Sequence, residues 1–231
     1  MIYKGQGKPE KNNFFTQKHL IMTFLTCTCP LAEAIEDIDP LVCGENFGQI
    51  QKLVIGRRNT TPRFPTFTGA VALGADLLGS WNTYKIATDA TKLQTTPFIT
   101  NLAIPAVEAI REGADSNATI DGIPEVIGET TPLVPGEIRG LPATIRRQLK
   151  SLSCYNDLVA FFINEVGRII GATPDDVQFQ AIPIFALHVG DPINDGKNTV
   201  DRTPFTFALR AGWADNLAFC DPSDFDARND L

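Results

Sequence analysis

Residues 177–189 read VQFQAIPIFALHV, and this stretch decides the fold. Val177, Phe179, Ala181, Pro183, Phe185, Leu187 and Val189 recur at every second position, the period of a strand with one face in a core. The reading extends outward on both sides. Downstream, PFTFALR at 204–210 repeats the alternation with Phe205, Phe207 and Leu209 inward. The intervening 191–196, DPINDG, is hairpin-turn chemistry, because Asn, Asp and Gly tolerate positive φ. Upstream, LVAFFINEV at 158–166 is a continuous apolar run, after which Gly167 introduces RIIG.

Earlier segments continue the β pattern. Residues 49–57, QIQKLVIGR, predict a strand, as do residues 92–100, KLQTTPFIT. Residues 102–111 alternate but contain Pro105, which suits an edge strand or a bulge. Two helices are expected. Residues 74–91 place Leu77, Leu78, Trp81 and Tyr84 at a rough helical period, with Asp76 helping to open the first turn. Leu141, Ile145, Leu149 and Leu152 mark the second, with Pro142 in its first turn and Arg146, Arg147 and Lys150 on the other face. Residues 113–140 read as a long loop: the polar tip DSNATIDG (115–122) is turn-rich, and 123–140, with Pro124, Pro132, Pro135 and three Gly, reads as a long β-arm or loop. In an assembling subunit such a loop reaches onto a neighbour. The expectation is an α+β domain at 44–220: mainly antiparallel β, sandwich- or barrel-like, with one or two flanking helices. Residues 1–43 form an N-terminal arm and residues 221–231 an acidic, loose tail.

Composition bounds the function. Hydrophobic residues make up 43% of the chain and charged residues 20%, which supports a packed core. The formal net charge is −7 with no basic stripe, which argues against sequence-specific DNA binding. An acidic wall still lets DNA slide past without gripping its phosphates. The cysteines, Cys27, Cys29, Cys43, Cys154 and Cys220, are odd in number and irregularly spaced; they read as reduced thiols of a protein folded in a cytoplasm. Residues 1–21 hold four Lys and one Glu, and Met22 is an alternative start. A third reading is an export signal: Lys18 and His19 precede LIMTFLTCTCPLA, and Ala32-Glu33-Ala34 has the small-x-small form of a cleavage site. Thr26, Thr28 and Pro30 dilute that apolar stretch, and no run is long enough to span a bilayer, so no membrane partner is expected.

Chemistry is sparsely signalled. There is no G-x-S-x-G, no phosphate-binding G-x-x-x-x-G-K-[ST] and no H-E-x-x-H. His19 lies in the N-terminal segment, and His188 reads as a solvated or interface histidine rather than a base. Cys27, Cys29 and Cys43 lack a fourth zinc ligand. Asp115, Asn117, Thr119 and Asp121 alternate like a calcium loop, but Ile120 stands where the turn glycine belongs. Trp81 and Trp213 read as core or interface fillers. No catalytic, cofactor-binding or metal residue is assigned, no cofactor is implied, and the expectation is a non-enzyme.

Three passages carry a resemblance: CGENFGQIQKLVI (43–55), residues 80–92 followed by TPFI (96–99), and GWADNL (212–217). Together they resemble virion structural proteins of phages and prophages of Bacteroides-type bacteria, and the plan looks like a tail-tube subunit. The resemblance implies two packed antiparallel sheets, one flanking helix, a long loop and an N-terminal arm. It further implies homo-oligomeric, sixfold rings that stack, other virion proteins as partners, transient contact with phage DNA in the lumen, and localisation in the virion. The 141–153 helix and the 113–140 loop would fill the family's roles. Other readings are a neck or head-completion ring, a capsid decoration protein, or an exported surface or adhesive β-protein.

Overall fold

A computed structural model describes residues 47–65, 74–113, 124–174 and 178–231. The strands are β1 (Ile50–Arg57), β2 (Phe64–Pro65), β3 (Gln94–Thr95), β4 (Ile99–Thr100), β5 (Ala109–Glu112), β6 (Glu125–Glu129), β7 (Leu133–Arg139), β8 (Leu158–Asn164), β9 (Ile169–Ala172), β10 (Gln178–Phe179), β11 (Ile182–Pro183), β12 (Phe185–Val189), β13 (Arg202–Ala208) and β14 (Leu217–Cys220). The helices are α1 (Leu78–Lys85), α2 (Ala143–Leu152) and α3 (Ala227–Asp230).

One sheet runs β14-β9-β8-β1-β3 with β11 also paired to β8, and a second runs β12-β13-β7-β4. The pairs β10-β2 and β5-β6 stand apart from both. All pairings are antiparallel. The class is therefore α+β, with sandwich-like sheets. The expected alternative of a barrel does not hold: neither sheet closes on itself.

β8 explains the layering. Each of its seven residues is buried, as a continuous apolar run requires when both faces are covered. Leu158, Ala160 and Phe162 pack into one core with Val134 and Ile138 of β7 and Phe205 and Phe207 of β13. Val159, Phe161 and Ile163 point the other way, into a second core with Phe64, Trp81 and Ala227. The first sheet is thus a middle layer, with the second sheet on one face and α1 and α3 on the other. α2 contributes Leu149 to the first core, with Ile145 and Leu152 packed against it, and Leu141, two residues before the helix, joins the same core. In the second core Trp81 donates its indole N–H to the Ala75 carbonyl at 2.8 Å and meets Phe161 edge-on at 5.0 Å.

Several expectations need correction. The strand expected over 177–189 is three short pieces, and its inward face changes midway. Phe179 and Ala181 are buried on the expected face, Ile182 and Ile184 on the other, and Leu187 and Val189 on the expected face again. The return is caused by a bulge: the register slips between Phe185 and His188, where Ala186 takes φ 48°. The strand expected over 92–100 is also split. β3 pairs with β1 in the first sheet and β4 with β7 in the second. The crossing is pinned by buried Thr96, whose N–H donates to Leu53 O at 2.9 Å while its Oγ1 accepts from Leu53 N–H at 2.9 Å.

The long loop expected over 113–140 contains two strands, β6 and β7, and β7 is internal to its sheet. Pro135 misled because proline lacks a ladder donor. Its carbonyl accepts from Ala103 N–H at 3.2 Å, on the side where β4 pairs only at Glu137 and Ile138. Pro204 in β13 does the same beside the end of β12, accepting from Gly190 N–H at 2.8 Å. In each case the missing donor faces a side where the neighbouring strand has stopped.

The tail is not loose. Ala227 and Leu231 are buried, Ser223 N–H donates to Asp76 O at 2.9 Å, and Arg228 Nη1 donates to Glu165 O at 2.7 Å. It also supplies the opening of α1: Asp224 Oδ1 accepts from Leu78 N–H at 2.9 Å, whereas Asp76 turns back to Gly74 N–H.

Candidate assembly surface

The β5–β6 hairpin is the feature most at odds with a free monomer. Apart from half-buried Gly128, every residue of its two strands is exposed. Water competes for both faces of such a hairpin, and two strands alone are marginal. Its apolar side chains are out as well: Ile110 is 44%, Val126 62% and Ile127 60% exposed. Ile127 is the extra residue of a bulge between Val126 and Gly128, opposite Ile110 and Arg111. Leu133, at the start of β7, is 61% exposed and continues the apolar surface along the chain. At its base the hairpin is fastened by Thr130 N–H to Glu108 O at 2.8 Å and Glu108 N–H to Thr130 Oγ1 at 2.9 Å.

The charges on the hairpin also lack balance. Glu112 stands directly across from Glu125, and Ala109 across from Glu129. Like charges in opposed positions destabilise a strand pair. The edge strand expected over 102–111 is present only as its last part, β5, and its partner β6 lies in the segment expected to be a loop. A strand exposed on both faces has no buried face to impose an alternating period. The outer strands β12 and β14 leave further sheet borders unpaired among the described residues.

Groups with shifted acidity owe the shift to nearby structural partners or to burial. Lys150 at 2.6 Å holds the Asp191 carboxyl below its ordinary range. Hydrogen bonds from Arg228 do the same for Asp226. The Arg168 guanidinium is raised by its bidentate grip on Asp221, and Arg202 by Asp195 and then Glu137. Burial pushes the Cys220 thiol up to about 12, reinforced by Asp76 and Asp221. Lys52 is lowered by burial and by Lys85, and lies 4.8 Å from the Phe98 ring centroid.

His188 is exposed on β12, across from Thr206. Asn194 Oδ1 accepts from Gly196 N–H at 3.0 Å, the turn chemistry read from 191–196. Trp81 is fully buried in the core, and Trp213 is half-buried against Phe47 and Phe162. His19, Cys27, Cys29, Cys43 and the tip 115–122 lie outside the described residues. Among the described residues no three His, Cys, Asp or Glu side chains gather as metal ligands, and no helix is long and apolar enough to cross a membrane. No family model matches the chain, and no curated protein matches it.

Proposed function

We propose that this chain is a structural subunit of a bacteriophage virion, a tail-tube protein whose copies close into stacked, sixfold rings that conduct DNA. The observation that carries the reading is the β5–β6 hairpin: two strands exposed on both faces, with Ile110, Val126 and Ile127 uncovered. A neighbouring copy that covers these side chains removes apolar surface from water, worth about 25 cal/mol per Å² buried. Support comes also from the two antiparallel sheets with open outer strands, which a ring can extend from subunit to subunit. The net charge of −7 suits a lumen that repels phosphate. The resemblance of the 43–55, 80–99 and 212–217 passages points to the same class of protein.

Negative-stain electron microscopy of the purified full chain tests this. Rings that stack into tubes are the expected result. Rings that never stack favour a neck or head-completion role. A chain that stays monomeric at high concentration by sedimentation ends the assembly reading.

A further inference from the structure

Arg58, Arg63 and Arg210 line one pocket of about 320 Å³, together with Gln180, Trp213 and Asn216. No Asp or Glu is among the described residues that line it, although acids outnumber bases in the chain by 27 to 20. The local sign is therefore opposite to that of the whole protein. The two flanking guanidinium groups share one aromatic ring: Arg58 Cζ lies 5.3 Å and Arg210 Cζ 5.1 Å from the Phe185 ring centroid. Placing two cations on one ring without an intervening anion is electrostatically unfavourable. Phe185, which does not itself line the pocket, sits at the β12 bulge, whose next residue, Ala186, occupies the left-handed region at φ 48°. Backbone strain of this kind persists only where surrounding structure enforces it.

The decisive detail is on Arg58. Its Nε and Nη2 are shielded from solvent and have no hydrogen-bond partner among the described residues. These two nitrogens form the side-on fork of the guanidinium. At Arg168 the same fork grips Asp221, with Nε to Oδ1 at 2.7 Å and Nη2 to Oδ2 at 3.1 Å. Arg57 has Asp157, Arg202 has Glu137 and Asp195, and Arg228 has Asp226. Arg202 Nε is likewise shielded without a partner, but both its Nη1 and Nη2 hold carboxylates; no carboxylate among the described residues meets the Arg58 guanidinium.

We propose that this pocket is a carboxylate receptor: Arg58 supplies a bidentate fork, Arg210 adds a second guanidinium, and Pro62, Val159 and Trp213 receive an apolar body. To engage, Arg58 turns its fork from the Phe185 ring into the pocket. Two sources present this chemistry: a free organic acid, and a glutamate of a second copy's β5–β6 hairpin, where Glu112 and Glu125 stand opposed. The pocket does not depend on the virion reading, but the second source does.

The test uses the full chain, with benzoate as probe. Trp213 lines the pocket and Trp81 does not, so indole fluorescence reports occupancy. Benzoate is expected to change that fluorescence and raise the melting temperature. Arg58→Met and Arg210→Met should each weaken binding at least tenfold, while Arg139→Met, outside the pocket, leaves it unchanged. Circular dichroism checks that the variants fold, and exposed Arg210 keeps the test informative if the Arg58 variant does not. If a second copy supplies the carboxylate, benzoate binds only after Glu112→Gln/Glu125→Gln, and that double variant sediments as smaller species. Benzoate that binds neither the wild type nor the double variant, or binds both arginine variants at full strength, overturns the proposal. Sedimentation keeps the outcomes apart: an assembly with an inert pocket sinks only this inference, and a monomer that takes up benzoate sinks only the assembly reading.

Discussion

The ring of Phe205 lies so close over Gly136 that a Cβ at residue 136 would sit 2.5 Å from its Cζ. The two residues face one another across β7 and β13, and Phe205 is buried. Gly136→Ala must therefore push the ring or the strand aside. Overpacking of this kind costs about 1–3 kcal/mol, so chemical denaturation should show a loss in that range. A companion Phe205→Leu should recover part of it, since the branched side chain lacks the atoms that clash.

The bulge at Ala186 makes the opposite prediction. An alanine at φ 48° pays for a conformation that glycine adopts freely. Ala186→Gly should raise stability by about 1 kcal/mol, measured as a shift in denaturation midpoint at constant slope. A loss of stability instead would mean that the Ala186 methyl makes contacts worth more than the strain.

Asp224 offers a test of the C-terminal segment. Its carboxylate accepts from the first N–H of α1. Asp224→Ala should cost about 1 kcal/mol, in the range of lost helix caps, and should speed hydrogen exchange in residues 78–82. Asp76→Ala leaves that bond intact and should leave exchange at Leu78 unchanged.

Cys220 carries a pH dependence of definite sign. Its folded pKa, about 12, lies above the ordinary 9.0. Stability from keeping this thiol neutral is complete below pH 9 and drains away as pH rises toward 12. The difference in melting temperature between wild type and Cys220→Ala should therefore shrink across pH 9 to 11. N-ethylmaleimide with peptide mapping gives a second readout: exposed Cys154 is modified in the native protein, and Cys220 only after denaturation.

The hairpin predictions separate folding from assembly. Val126→Lys and Ile127→Lys change exposed positions, so monomer stability should move by less than about 0.5 kcal/mol. Assembly, read by sedimentation, should be lost. Glu125→Lys replaces the like-charge pair with Glu112 by an attractive one and should stiffen the hairpin by about 0.2–1 kcal/mol, visible as slower exchange at Arg111.

Much of the fold is legible in the sequence where burial is uniform. β8 is buried throughout and reads as an unbroken apolar run; Phe205, Phe207 and Leu209 alternate because one face of β13 meets the core. α2 follows its four-four-three spacing. Legibility ends where a local feature shifts the period. The bulge at Ala186 moves the buried set from Ile182 and Ile184 to Leu187 and Val189, which no alternation reveals. Pro135 and Pro204 look like breakers until the sides on which their neighbours stop are known. The pocket could not be foreseen, because Arg58, Phe185 and Arg210 are brought together only by strand pairing. Of the hairpin, β5 falls in the edge strand read over 102–111, but β6 carries no signal: with no core beneath it, nothing imprints a period on its residues.

The pairing of β1 with β8 sets a timetable for biosynthesis. Arg57 and Asp157, bridged at the end of that pair, are 100 residues apart. At roughly 5–20 residues per second, the apolar Leu53-Val54-Ile55 segment waits about 5–20 seconds after synthesis before its partner exists. During that interval only the short β3 can pair with it, and its β8 side stays open to other nascent copies. A ribosome pause between residues 57 and 158 would lengthen that exposure, so synonymous codon changes there should alter soluble yield without altering a single atom of the mature protein.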